Sequence, residues 1–164
     1  RHILAGIRDV CGRDFPVLIK INATIDTTEG TMPAHDLLSY CRMAKEAGAA
    51  AVEISGCDFM QYGREESNYY IAFARQVKEE VDMPIILVGG VHNVWDAQAA
   101  MESVMDLIAL SRPFICQPDL VKRWENGEAC QCISCSRCFH LYQEEKRRCI
   151  FHPKYETKRD HDGE

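Results

Sequence analysis

The sequence predicts an α/β fold: the C-terminal half of a TIM (β/α)8 barrel, units five to eight, with a cysteine-rich C-terminal extension. Four β-branched apolar runs, each followed by a helical pattern, indicate parallel strands buried on both faces. Polar residues or glycines follow all four runs, and barrels carry their working residues at the carboxyl ends of the strands. A complete barrel needs about 250 residues, whereas this chain has 164. A doubly wound sheet would place its glycine motif after the first strand rather than the third.

The predicted strands are short apolar runs rich in valine, isoleucine and leucine, bounded by proline, glycine or polar residues. Runs of this kind without polar alternation are typical of parallel strands that helices cover on both sides. The predicted strands cover residues 15–23, 49–55, 83–90 and 105–111.

The helices are predicted from their start and stop residues. Gly12 ends a first helix that has no capping residue at its start, so we expect the chain to be cut from a longer protein. A loop follows the first strand, and Pro33 suits the first turn of a helix that Gly48 ends. Asn93 predicts another start, because its side chain can cap free amides and Asp96 favours the helix dipole. Further helices are predicted over residues 70–81 and 118–127.

Composition narrows the function classes. With 46% apolar residues the chain can bury a core, and its formal charge of −6 argues against nucleic acid or anionic membrane as the main partner. No apolar run approaches the roughly 20 residues of a membrane span, and no signal peptide opens the chain. Four of the nine cysteines are scattered through apolar segments, which does not suggest a disulfide scaffold. We therefore expect a cytoplasmic protein whose partners are small molecules or other proteins.

A glycine pair marks the end of the third predicted strand. Backbone N–H groups that converge at a helix start hold a phosphate well, and a Cβ at the closest point would push the ligand away. Gly89 and Gly90 meet that need ahead of Asn93, and the next strand ends in Ser111 and Arg112. Barrels often build a phosphate site from the loops after strands seven and eight. The alternative is a tight turn beside a solvated surface arginine.

Several motifs together resemble one family. The stretches "FPVLIKIN", "GAAAVEISG", "PIILVGGV" and "DLIALSRPFICQPDL", followed by "CISCSRCF", are similar to the second half of the Old Yellow Enzyme family, in its 2,4-dienoyl-CoA reductase-like NADH:flavin oxidoreductase branch. The resemblance covers nearly the whole chain, residues 3–149. It implies a flavin-holding barrel with FMN as cofactor, NAD(P)H as reductant, and an enoate, enone or enoyl-CoA as acceptor.

The resemblance also implies roles for single residues. Lys20 stands where the family places a basic residue beside the flavin N1 and O2 edge, where a cation stabilises charge on the reduced ring. Gly89, Gly90, Ser111 and Arg112 correspond to the FMN phosphate clamp. The family's substrate-binding His and Asn would precede the first residue of this chain. Tyr62 is then the remaining candidate proton donor, and an ordinary loop tyrosine is the alternative.

The C-terminal cysteines form a separate motif. A C-x2-C-x2-C spacing brings three thiolates within reach of one centre, with a fourth cysteine farther along the chain, and three plus one is typical of a four-iron four-sulfur cluster. The resembled branch carries such a cluster here, with one more residue between its second and third cysteines. Zinc bound by thiolates, or free thiols without metal, are the alternatives. The predicted ligands are Cys132, Cys135, Cys138 and Cys149.

These predictions divide the chain into residues 1–127, the FMN-binding half barrel; residues 128–150, the cysteine-rich segment; and residues 151–164, a polar tail or linker. We expect the fragment to be inactive by itself, because half the flavin pocket is missing. Cut barrel strands leave open edges, which a homo-oligomer would cover. A cysteine-ligated metal or interaction module, and a different phosphate-binding TIM-barrel enzyme, remain alternative functions.

Overall fold

The computed structural model describes residues 1–27, 30–103, 105–140 and 149–151 of the chain. Strands and helices alternate over most of this length, as the sequence predicts. The elements in chain order are α1 (His2–Cys11), β1 (Leu18–Asn22), β2 (Thr24–Thr27), β3 (Gly30–Pro33), α2 (Leu37–Glu46), β4 (Ala51–Ser55), α3 (Ile71–Val81), β5 (Ile85–Val88), α4 (Val94–Glu102), β6 (Leu107–Ala109), α5 (Arg112–Cys116), α6 (Leu120–Glu125) and α7 (Arg137–His140).

Four strands form one parallel sheet in the order β1-β4-β5-β6. The two central strands, β4 and β5, are almost completely buried, as expected for strands with a neighbour on each side. Leu18 of β1 and Leu107 of β6 are 56% and 52% exposed, because their strands lie at the edges of the sheet. The predicted parallel sheet is confirmed, and its outer strands are those expected to be open.

Helices α2 and α3 each contribute three buried residues to the core. Their apolar residues recur every three or four positions, so each helix presents one stripe to the sheet. The buried members of these stripes are Leu37, Cys41, Ala44, Ala74, Val77 and Val81. Within the described residues, no helix combines the length and apolar character needed to cross a bilayer.

Two local predictions were wrong, and one short helix was missed. Residues 24–27 and 30–33 form the antiparallel pair β2 and β3, with Thr24 paired to Pro33, where a simple loop was predicted. This hairpin takes up Pro33, so α2 begins at Leu37 instead. The short helix α5 directly after β6 was not predicted, because its five residues are too few to show a helical period. The predicted polar tail lies outside the described residues from position 152 onward.

Candidate functional site

A cavity of about 440 Å³ lies at the carboxyl ends of the four parallel strands. The strand register places these ends side by side: Asn22 pairs with Ser55, and Val88 pairs with Ala109. Strand β1 and the loops that follow β4, β5 and β6 therefore contribute to one site. Its wall includes all the residues predicted to bind the cofactor, namely Lys20, Gly89, Gly90, Ser111 and Arg112.

The glycine pair adopts backbone conformations that favour glycine, with φ of 102° at Gly89 and 74° at Gly90. A Cβ on Gly90 would lie 2.4 Å from the backbone nitrogen of Asn68, whose N–H donates to the Gly90 carbonyl at 3.0 Å. A Cβ on Gly89 would lie 2.4 Å from Cε2 of Tyr69. The bare backbone thus lets the loop before α3 pack against this turn, a reason that the sequence pattern did not reveal.

Arg112 is the cation predicted to bind the phosphate. Its Nη1 donates to the Ser134 carbonyl at 3.1 Å and to Ser136 Oγ at 2.9 Å, and its Nη2 donates to the Tyr69 hydroxyl at 3.1 Å. The guanidinium also lies 5.5 Å from the centre of the Phe59 ring, a distance at which a cation and an aromatic face attract. Arg112 is therefore held in the wall of the cavity and is not the solvated surface charge of the alternative prediction.

Lys20 reaches the cavity from the edge strand β1. Its Nζ donates to Oε1 of Glu53 at 2.8 Å, and Glu53 is its direct partner in the register between β1 and β4. The Lys20 side chain stays 55% exposed while that of Glu53 is 23% exposed. The pair contributes little to stability at such exposure, but it fixes the direction of the lysine at the rim of the cavity.

Asp58 organises the loop after β4, and sequence reasoning missed it. Its Oδ1 accepts from Tyr70 at 2.6 Å and from Thr24 at 2.7 Å, and its Oδ2 accepts from Tyr62 at 3.1 Å. Burial works to raise the pKa of Asp58, but these hydrogen bonds outweigh it and hold the pKa below its ordinary value. No sequence spacing signals this network, because Thr24 comes from the unpredicted hairpin.

Tyr62, the predicted proton donor, belongs to that network rather than to the cavity wall. Burial, the hydrogen bond to Asp58 and the charge of Asp58 all raise the pKa of the Tyr62 phenol. A phenol that holds its proton more tightly is a poorer acid. The structure therefore gives the predicted role of Tyr62 in proton donation no support.

Two other residues of the wall were not predicted. His92 was given no role from sequence, yet it lines the cavity and is only 4% exposed. Burial lowers its pKa, more than the carbonyl of Glu66 and the charge of Asp96 raise it, and its Nδ1 has no hydrogen-bond partner among the described residues. Tyr69 lies between the glycine turn and Arg112.

The cysteine-rich segment packs beside the cavity. Amide N–H groups donate to three sulfurs: that of Cys132 to Cys130, that of Ser134 to Cys132, and that of Phe139 to Cys138. Ser134 and Ser136 both adopt a φ of 57°, and Cys135 between them is exposed. In this turn Ser134 and Ser136 are buried, whereas the thiol of Cys135 faces outward.

The predicted set of four ligands is not assembled around one point. Cys132 is buried whereas Cys135 is exposed, and Cys149 instead hydrogen-bonds with the unpredicted Cys116. Burial, together with Cys149, raises the pKa of Cys116 to about 12. Within the described part of the chain, no three cysteine, histidine or carboxylate side chains are placed to hold a metal ion. The side chains as arranged do not fit a four-iron cluster.

Comparison with protein families decides the assignment. The profile of the NADH:flavin oxidoreductase / NADH oxidase family matches residues 1–131. The chain belongs to this family. The Old Yellow Enzyme resemblance stated from the motifs is thereby confirmed, and the dienoyl-CoA reductase-like branch stays a prediction. The match covers β1 to α6 and so includes every residue predicted to bind FMN.

Individual relatives share shorter regions with this family member. The 4,4'-dithiodibutanoate disulfide reductase of Rhodococcus erythropolis is 31% identical over 75 residues, which are 44% of this chain and 19% of that protein. The bilirubin reductase of Mediterraneibacter gnavus is 34% identical over 67 residues, 40% of this chain and 10% of that protein. Subunit HisF of the imidazole glycerol phosphate synthase of Pseudoalteromonas translucida is 27% identical over 101 residues, 60% of this chain and 37% of that protein.

The fold is similar to that of solved TIM-barrel reductases. Morphinone reductase superposes with a TM-score of 0.58 and 21% identity, covering 78% of this chain and 34% of that chain. Its N189A mutant in complex with tetrahydroNAD gives a TM-score of 0.55 and 20% identity, covering 77% and 33%. This chain thus has the architecture of part of a TIM barrel and spans about a third of the length of these enzymes.

Proposed function

We propose that this chain is the cofactor-phosphate half of an FMN-dependent NAD(P)H oxidoreductase. One observation carries the proposal: the glycine turn after β5 and Arg112 after β6 approach the same oxygen, the Tyr69 hydroxyl, from two neighbouring loops. An amide and a cation that converge on one oxygen are what a phosphate group requires. The family supports FMN as the owner of that phosphate.

The residues of the cavity fit the parts of FMN in a simple way. The N–H groups of the glycine turn and of Ser111, with Arg112, would hold the phosphate, and Lys20 would lie near the pyrimidine edge of the ring. A bound flavin supplies two-electron chemistry between a reduced nicotinamide and an activated alkene such as an enone or enoyl-CoA. Lys20 would stabilise negative charge at that edge, and Glu53 orients its ammonium group. His92, which burial favours as neutral, adds a polar wall.

Binding of FMN and riboflavin to the purified chain tests the proposal, because the two differ only by the phosphate. Charge-assisted hydrogen bonds are worth about 1.5–3 kcal/mol each, so Arg112→Ala is expected to weaken FMN binding roughly 10-fold or more and riboflavin binding little. Arg123→Ala is the matched control, since Arg123 lies on α6 and pairs with Asp119 and Glu128 on the surface. Equal affinity of the wild-type protein for FMN and riboflavin would contradict the phosphate site.

A metal-binding or interaction module is the second candidate, and one observation favours it. Amide N–H groups already point at the sulfurs of Cys130, Cys132 and Cys138, as they do around metal thiolates. The thiols are nonetheless not arranged for a four-iron cluster, so we derive no electron-transfer step from them. Metal analysis and a visible spectrum separate the cases: a flavin gives two resolved bands, an iron cluster gives broad absorption, and zinc gives none.

The homo-oligomer and the cytoplasmic location stay predictions. The homo-oligomer draws support from the two edge strands, which present unpaired backbone groups and exposed leucines to the surroundings. A different phosphate-binding barrel enzyme would use the same glycine turn and Arg112, and preferential binding of FMN over simple phosphate esters would exclude it.

A further inference from the structure

The oxygen at the convergence point belongs to Tyr69, which lies two positions before the first residue of α3. The Tyr69 hydroxyl accepts hydrogen bonds from Nη2 of Arg112, at 3.1 Å, and from the N–H of Gly90. Both donors belong to the group that the proposed function assigns to the cofactor phosphate. The Tyr69 hydroxyl therefore stands beside the donors that would hold the phosphate oxygens.

The ring that carries this oxygen is fixed on three sides. It stacks on Tyr62 with 4.1 Å between ring centres and an interplanar angle of 8°, and it meets the edge of Tyr70 at 4.7 Å. Its Cε2 occupies the space that a Cβ on Gly89 would need. Withdrawing the ring would lose both aromatic contacts and leave a void beside the glycine turn, so the hydroxyl stays at the cavity when a ligand enters.

The hydroxyl still has a proton to give. A phenol oxygen accepts through its lone pairs and donates one O–H, and here the donors Arg112 and Gly90 use only the lone pairs. Among the described residues, the Tyr69 hydroxyl donates to no acceptor, although Tyr69 lines the cavity. Burial raises the pKa of this phenol more than Arg112 and Gly90 lower it, so the proton is retained at neutral pH. The cavity is where an acceptor for it can enter.

We propose that Tyr69 is a further cofactor-binding residue, whose O–H donates to the phosphate of FMN while its oxygen aligns Arg112 and the Gly90 amide. The inference rests on the proposed function and deepens it. It makes the site selective for a phosphate monoester: riboflavin ends in a neutral hydroxyl at this point, which is a weaker acceptor for the phenol proton. The aromatic stack places the hydroxyl, and the glycine turn makes room for the ring.

Tyr69→Phe tests the inference, because phenylalanine keeps the ring and its stacking but lacks the hydroxyl. Tyr62→Phe is the matched control: it removes a hydroxyl from the stacked neighbour that points to Asp58 instead. Titration with FMN and riboflavin, followed by flavin fluorescence, is expected to show FMN affinity roughly 10-fold lower in Tyr69→Phe, as for loss of one hydrogen bond to a charged group. Riboflavin affinity, and both affinities in Tyr62→Phe, are expected to stay near those of the wild-type protein.

The outcomes separate the inference from the proposed function. If the wild-type protein and Tyr69→Phe prefer FMN over riboflavin equally, Tyr69 does not bind the phosphate and the inference fails while the proposed site stands. Tighter FMN binding by Tyr69→Phe would show that the hydroxyl competes with the phosphate, which also overturns the inference. A wild-type protein that binds both flavins equally, or neither, overturns the proposed function itself.

A measurement on the wild-type protein covers the case in which Tyr69→Phe does not fold. A phenol that donates to an anion ionises less readily, so spectrophotometric titration with FMN bound is expected to move one tyrosine to higher pH than titration with riboflavin bound. No difference between the two flavins would overturn the inference without any variant.

Discussion

Replacing Asp58 with alanine tests how the wall of the cavity is held in place. The carboxylate accepts hydrogen bonds from three hydroxyl groups, those of Thr24, Tyr62 and Tyr70. Thr24 and Tyr70 are 5% and 1% exposed, so alanine would leave two donors without a partner and without water. Each such donor costs about 1–3 kcal/mol, and the two together lower the free energy of unfolding by about 2–6 kcal/mol.

That loss is large against the 5–15 kcal/mol by which whole domains are typically stable. Asp58→Asn is expected to cost only about 1 kcal/mol, because its amide oxygen can still accept from Thr24 and Tyr70. Asp9→Ala, at an exposed position of α1, is the control and is expected to change stability by less than about 0.5 kcal/mol.

Urea unfolding followed by circular dichroism measures these differences through the midpoint and the slope of the transition. A double-mutant cycle with Tyr70→Phe adds a second criterion: removing both partners is expected to cost less than the sum of the single changes, since Phe leaves one donor fewer to satisfy. An Asp58→Ala protein as stable as Asp9→Ala, with an unchanged slope, would refute the reasoning.

Three further predictions concern the glycine turn, acid and the sheet edges. Gly90→Ala is expected to lose more than about 1 kcal/mol of stability, because φ is 74° and the new Cβ meets a backbone nitrogen. The control Gly6→Ala, in open space on α1, should instead gain up to about 1 kcal/mol. Similar changes of both variants in urea unfolding would contradict the steric role of Gly90. The pKa of Asp58 is lowered in the folded state, so the stability that this carboxylate contributes is present above its unfolded pKa of about 4 and is lost as the pH falls through the folded pKa. The melting temperature of Asp58→Asn should therefore fall less in acid than that of the wild-type protein. An equal fall in both proteins would contradict the prediction. Sedimentation at micromolar concentration is expected to show a dimer that Leu18→Lys weakens, whereas a monomeric wild-type protein would leave the edge strands without the expected partner.

Local patterns predicted most of the fold because the strands and helices follow ordinary rules. Continuous apolar runs predicted all four strands of the sheet, and Asn93 caps α4 as expected, its side chain accepting from the Asp96 amide at 2.9 Å. The hairpin of β2 and β3 escaped prediction because its residues alternate for only four positions per strand.

The candidate site was predictable only where one short stretch of sequence carried it. The sequence shows two glycines between a strand and a helix, and an arginine after the next strand. All three residues line one cavity in the structure. Asp58 and Tyr69 act through partners far away in sequence: Asp58 bonds to Thr24, and Tyr69 bonds to Arg112. Such contacts depend on how loops pack in three dimensions, which no spacing rule encodes. The thiol contact between Cys116 and Cys149 was missed for the same reason.

The two bonds from Arg112 to Ser134 and Ser136 cross the boundary at which the family match ends, residue 131. A protein shortened to that boundary would keep every matched residue but would lose both hydrogen bonds from Arg112 to the serines. The guanidinium would then have fewer contacts to hold it at the rim of the cavity. The region that matches the family is therefore shorter than the smallest piece of chain that keeps all the contacts of Arg112. A truncated protein made to study the barrel should therefore include Ser134 and Ser136.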